Sequence, residues 1–223
     1  MKKIIVALFF LILAIGAITD AAQSDLEIKG MKLVSLKPPF TLRLPSELNL
    51  VHFFSHENPG ENSITRVYFL VKTKGKQAEE MLILQIADRT GSPVGPMTVP
   101  PLRPYAEKKM FVKDRVKKGR GTIDYLIQLM AWNPEAPSLQ PVVKKGIIIP
   151  AHWALQGQLQ FVYQGDHAVS IRYSKDVNSF EMKVSDAGDA WEKGSISGNE
   201  KRAYGVFKKS YLEMLETLRT ITP

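Results

Sequence analysis

The chain reads as an α+β protein, a largely antiparallel two-layer β-sheet structure with a C-terminal amphipathic helix packed on one face. Three observations predict this class. Most of residues 26–185 consists of short β-rich runs separated by Gly, Pro and Asn turn signals. Apolar residues return at helical spacing in the segment that follows Ser197. The balance of 44% hydrophobic to 23% charged residues is that of an ordinary globular domain and argues against disorder or coiled coil.

The N-terminus comes first in the chain and stands apart. Lys2 and Lys3 precede an uncharged, mostly apolar run from Ile4 to Ile18, and the small-residue stretch Thr19-Asp20-Ala21-Ala22 follows. This is the form of a secretory signal peptide, residues 1–21, cleaved after Ala21. As a helix the run would rise about 22 Å, short of the roughly 30 Å hydrocarbon core, so a retained anchor is the lesser reading. The short, Lys-led signal looks bacterial and places residues 22–223 in the periplasm or outside, with no later stretch apolar enough to span. Losing two Lys and one Asp would lower the net charge from +8 to +7. With no Cys in the chain, disulfides, Cys-ligated zinc, iron–sulfur clusters and Cys nucleophiles are excluded, and stability must come from an apolar core.

Strands are expected at 31–36, 40–44, 48–54, 64–72, 81–87, 109–116, 122–132, 142–149, 155–163, 168–174 and 180–184. In the run 64–72, Val67, Phe69 and Val71 would line one side and Ile64, Tyr68 and Leu70 the other. The run 81–87 is similarly continuous. Strands apolar on both sides belong in the middle of a sheet that is covered twice. Pro-rich stretches at 93–104 and 134–141 read as rigid loops within one domain, with a split at 93–104 as the less favoured division.

The hairpin 155–174 permits a test of register. A two-residue turn at Gly165-Asp166 would mix polar and apolar faces. A three-residue loop of Gly165, Asp166 and His167 would pair Tyr163 with Val169, Phe161 with Ile171 and Leu159 with Tyr173, leaving Gln158, Gln160 and Arg172 on the polar side. A helix of about 198–220 should close the chain. Ser197-Gly198-Asn199-Glu200 has the capping-box form, and Ala203, Val206, Phe207, Tyr211, Met214, Leu215 and Leu218 follow on one stripe.

Few groups could carry chemistry. His52 and His56 have the spacing of a helical metal site, but they fall in a strand pattern, where residues four apart lie about 13 Å from each other. Asp166, His167 and Ser170 are the residue types of a hydrolytic triad, yet they crowd one hairpin and no Gly-x-Ser-x-Gly elbow is present. The aromatics Trp132, Trp153 and Trp191 sit beside turn signals, read as core or rim packing, with a ligand platform as the sharper alternative.

The densest charge is Lys108, Lys109, Lys113, Arg115, Lys117, Lys118 and Arg120, opposed by Glu107 and Asp114. In a strand, Lys109, Phe111, Lys113 and Arg115 share one side. Such a row resists edge-to-edge pairing, and it also favours anions. The candidate ligand-binding residues are therefore Lys109, Lys113, Arg115, Lys117, Lys118 and Arg120, with Gln158, Gln160 and Arg172 on the polar face of the hairpin. No catalytic residue, metal ligand or cofactor is expected. The chain is read as an exported, non-catalytic binding or envelope-assembly domain, more readily than as an enzyme. Its expected partners are anionic lipid headgroups, an acidic polysaccharide or an acidic envelope protein, and not nucleic acid. The alternative is an envelope-associated hydrolase whose site gathers His167, His152 and a carboxylate from distant parts of the sequence.

Overall fold

The computed structural model describes residues 25–91, 95–104, 111–118, 121–182 and 197–220. The element order is β1 (Leu26–Lys29), β2 (Lys32–Leu36), β3 (Pro39–Arg43), β4 (Asn49–Asn58), β5 (Ser63–Lys74), β6 (Gln77–Arg89), β7 (Phe111–Lys118), β8 (Gly121–Ala131), α1 (Gln140–Val143), β9 (Trp153–Tyr163), β10 (His167–Asp176), α2 (Gly198–Thr217) and β11 (Arg219–Thr220). A small sheet has the order β1-β2-β3-β11, and a seven-stranded sheet has the order β4-β5-β6-β10-β9-β8-β7. Every pairing between these strands is antiparallel. The α+β expectation is met: two antiparallel sheets and a C-terminal helix.

Period-two alternation assigns the layers. Tyr68 and Leu70 of β5, Leu82, Leu84 and Ile86 of β6, Val169, Ile171 and Tyr173 of β10, and Leu155, Leu159 and Phe161 of β9 point to one face of the large sheet. They join Leu33, Phe40 and Leu42 of the small sheet and Ala203, Phe207, Tyr211 and Met214 of α2 in one apolar cluster. This is the helix face. On the opposite face, Val67, Phe69, Val71, Met81 and Ile83 pack under Trp132, Leu139, Val142 and Ile149 from the loop that carries α1. Strands β5 and β6 are therefore covered twice, as their continuous apolar runs predict.

Two buried polar groups fasten the small-sheet region to the large sheet. Arg66 of β5 bonds Asp88 and Asp25 at 2.8 Å each, and it also donates to the Lys37 carbonyl. Burial alone would lower the Arg66 pKa, but Asp88, Tyr68 and Asp25 together outweigh it and the net direction is up. Glu80 of β6, 1% exposed, accepts from Ser46 Oγ and from Tyr173 Oη at 2.5 Å each. Lys72 and Lys175 each lie 3.1 Å from its other oxygen.

The helix starts where its capping box predicts. Ser197 accepts from the Glu200 backbone, and the Glu200 side chain accepts from the Ser197 backbone. Ser197→Ala should lower stability by about 1 kcal/mol in urea unfolding monitored by circular dichroism. An unchanged midpoint would show that the cap adds nothing.

Several expectations need correction. Residues 142–149 are not a strand: Pro141 sits in the first turn of α1, Gly146 has φ +80°, and Ile148 makes only an isolated bridge to Gln77. A short buried apolar run looks the same in either state. In place of a strand from Phe180, Val177–Phe180 is a 3₁₀ turn, because Asp176 caps it by accepting from Asn178 N. Residues 183–184 of that segment lie outside the described residues.

The hairpin keeps its predicted faces but is shifted by two residues, with Tyr163 opposite His167, Phe161 opposite Val169 and Leu159 opposite Ile171. The chain turns earlier than expected, at Gln164 and Gly165, whose φ values are +53° and +81°. The helix ends at Thr217, where Leu218 becomes extended and leads into β11. Val206 is 54% exposed, and Tyr204 takes its place in the buried stripe.

Candidate functional site

The part of the large sheet opposite α2 that is built from β7–β10 is lined largely by polar side chains. Three register rows cross it. Phe111, Gln128, Gln156 and Ser174 form one; Lys113, Leu126, Gln158 and Arg172 form the second; Arg115, Asp124, Gln160 and Ser170 form the third, which continues to Gln85 of β6. Hydrogen bonds run along the first row, Gln128 Nε2 donating to Gln156 Oε1 at 3.0 Å and Gln156 Nε2 to Ser174 Oγ at 3.2 Å. These three side chains are buried and satisfy one another.

Two loops flank this polar strip. The Pro-rich segment 95–104 crosses on one side, held by Met97 N donating to the Gly165 carbonyl at 2.7 Å and by Gln160 Nε2 donating to the Pro100 carbonyl. The α1 loop covers the β4–β6 end. Between them lies Arg172, half-buried, whose Nη2 donates to Gln85 Oε1 at 2.8 Å. Its buried Nε has no hydrogen-bond partner, and no carboxylate is paired with it, among the described residues. Burial pulls its pKa below the usual arginine value. At neutral pH the guanidinium nevertheless stays charged, so among the described residues the hydrogen-bond partner of this desolvated cation is an amide. That is the electrostatic condition under which an arriving carboxylate or sulfate gains most.

The basic segment divides. Strand β7 is an edge of the large sheet, with Phe111, Lys113, Arg115 and Lys117 on the polar side and the half-buried Val112 and Val116 on the other. Arg115 is paired with Asp124 at 2.6 Å. Lys118 points to the helix side and donates to the Glu216 carbonyl at 2.9 Å, near the negative end of the α2 dipole. Lys113 and Lys117 have no ion pair among the described residues. Lys108, Lys109 and Arg120 lie outside the described residues, as does Trp191.

Of the candidate residues, then, Lys113, Lys117, Gln158 and Arg172 share one face with unengaged or partly engaged polar groups. Gln160 is occupied by the Pro100 carbonyl, and Lys118 belongs to the other face. Gln85 was missed by sequence reasoning, and its signal was its isolation as the one amide in the apolar run 81–87.

The other constellations are dispersed. Asp166 is paired with Arg89, and His167 Nδ1 lies 2.7 Å from Asp88, so neither approaches Ser170, which is on the opposite face. His152 lies 2.5 Å from Asp176. That is the far end of β10 from His167, about 30 Å away at strand rise. The structure does not bring these two histidines together. His52 and His56 flank Phe54 on β4, with ring centroids 5.8 Å and 5.9 Å from it. Trp132 is buried in the second cluster and Trp153 packs against the first, so both are core or rim. No family model matches the chain, and it shows no match to curated proteins or to solved structures.

Proposed function

We propose that the protein is an exported, non-catalytic binding domain that docks an acidic polysaccharide on the amide-lined strip around Arg172. The observation that carries this reading is Arg172 itself, a partly desolvated guanidinium with an unpartnered Nε and no counter-ion among the described residues. The half-exposed Gln158 beside it offers both a donor and an acceptor to sugar hydroxyls, while a guanidinium recognises a carboxylate through two parallel bonds. Lys113 and Lys117 at the sheet edge add a diffuse attraction that steers an anionic chain toward the strip. The Lys-led apolar run at residues 4–18 supports export.

Calorimetric titration with oligogalacturonate tests this. Binding is expected for the native protein, and Arg172→Gln should weaken it about tenfold or more, the size of a lost charge-assisted bond. Lys113→Ser with Lys117→Ser should weaken it less, and the deficit should shrink as salt rises. Equal affinity of Arg172→Gln, equally tight binding of neutral dextran, or binding to anionic vesicles in place of the oligosaccharide would contradict the reading.

A further inference from the structure

The two edges of the large sheet are built differently. Edge β7 carries Lys113, Arg115, Lys117 and Lys118 within eight residues. Edge β4 runs ten residues, Asn49–Asn58, with Glu57 as its only charged side chain and no Lys, Arg or Pro. Among the described residues, β4 makes no backbone hydrogen bonds beyond its ladder with β5, so its outer row of N–H and C=O groups has no backbone partner among them. A long edge without charge or proline is a template for another strand.

The side chains of β4 say which strand fits. His52, Phe54 and His56 lie on one side, opposite Phe69, Val67 and Thr65 of β5. Their rings form a continuous row with Phe69, which is 6.1 Å from both His52 and Phe54. Read from Phe54, the stripe is the same in both directions: aromatic centre, histidine two residues before, histidine two residues after. A surface of that symmetry is self-complementary under a two-fold axis.

We propose that β4 pairs with β4 of a second copy, antiparallel about a two-fold axis at Phe54, joining the two large sheets edge to edge. Phe54 then meets its counterpart, and each His52 faces a His56 from the other copy. On the helix side, Phe53 faces Ser55. The register shift between Leu50 and His52 ends regular pairing on that side and limits the joined stretch to about 52–56 and its flanks. Burial, reinforced by the charge of Lys145, lowers the His52 pKa and favours its neutral form in the pairing. An interface this short falls at the small end of specific contacts, so the dimer forms at micromolar concentrations.

Sedimentation equilibrium of the purified protein at pH 7.5, from about 1 to 200 μM, is the test. Mass should rise from one chain to two across that range, and His56→Lys should shift the dissociation constant at least tenfold. Because the chain has no native cysteine, Phe54→Cys supplies a second readout. Mild oxidation should link it into a dimer, whereas Lys209→Cys on the exposed side of α2 should remain monomeric. A native protein that stays monomeric throughout would overturn the proposal. So would a dimer in which Cys at 209 cross-links and Cys at 54 does not.

Discussion

Gly157→Ala should destabilise the protein by about 3 kcal/mol or more, a large effect for the addition of one methyl group. Gly157 lies in the middle of β9 on the helix face, and a Cβ there would overlap the Tyr211 ring atoms Cε2, Cδ2 and Cζ. Tyr211 is fully buried and stacked against Phe207 with centroids 6.2 Å apart, so the ring cannot swing aside without moving α2. The glycine thus leaves the room that the Tyr211 ring occupies against β9. Guanidinium unfolding of the single variants and of Gly157→Ala with Tyr211→Leu would check this: the double variant should lose less than the sum of the two. Strict additivity would mean that the methyl is absorbed elsewhere. The Tyr211 hydroxyl is buried with no hydrogen-bond partner among the described residues, so Tyr211→Phe alone should be neutral or stabilising.

Glu80→Ala should cost about 3–5 kcal/mol in the same assay, because it removes a buried acceptor shared by four groups, of which only Lys72 keeps a second carboxylate, Glu79. Those groups are Ser46, Tyr173, Lys72 and Lys175. Burial would raise the pKa of this carboxyl, but the two hydroxyl donors and Lys175 overcome that and hold it down to about 2. A carboxyl whose folded pKa lies below its unfolded value stabilises the fold fully above the unfolded value. That contribution is lost as pH falls from about 4.5 toward 2. Native stability should therefore decline through this window by about 3 kcal/mol more than that of Glu80→Gln, which has no proton to take up. Parallel decline of the two proteins would remove Glu80 from the account.

Much of this fold was legible because alternation and capping are local. The side of the hairpin on which Arg172 and Gln158 lie follows from parity alone, and it survived a shift of two residues in pairing because an even shift preserves faces. Ser197 and Glu200 marked the helix start for the same reason, since both partners of the box lie within four residues. The charged edge at Lys113–Lys117 also reads directly from its own row.

What was not legible depends on residues far apart. Glu80 lies 34 residues from Ser46 and 93 from Tyr173, so nothing near it announces a buried carboxylate. Strands β1 and β11 have four and two residues, too few to show a period. The segment 142–149 has the composition of a strand, and only Pro141 and Gly146 argue otherwise. The candidate site is an intermediate case. Arg172 could be placed on a polar face from sequence, but the lack of a counter-ion among the described residues is a property of the assembled sheet. Lys118, by contrast, was grouped with its neighbours by sequence and separated from them by the pleat.

The central claim is that the anion is taken at Arg172 and not merely attracted by the basic edge. Nitrogen-resolved magnetic resonance of side-chain groups during titration with oligogalacturonate addresses it directly. The account predicts a saturable shift of the Arg172 Nε–H and the Gln158 side-chain amide, with the Gln128 and Gln156 amides, already bonded to each other, moving little. Saturation without any shift at Arg172 and Gln158, or shifts confined to the lysines of β7, would contradict it.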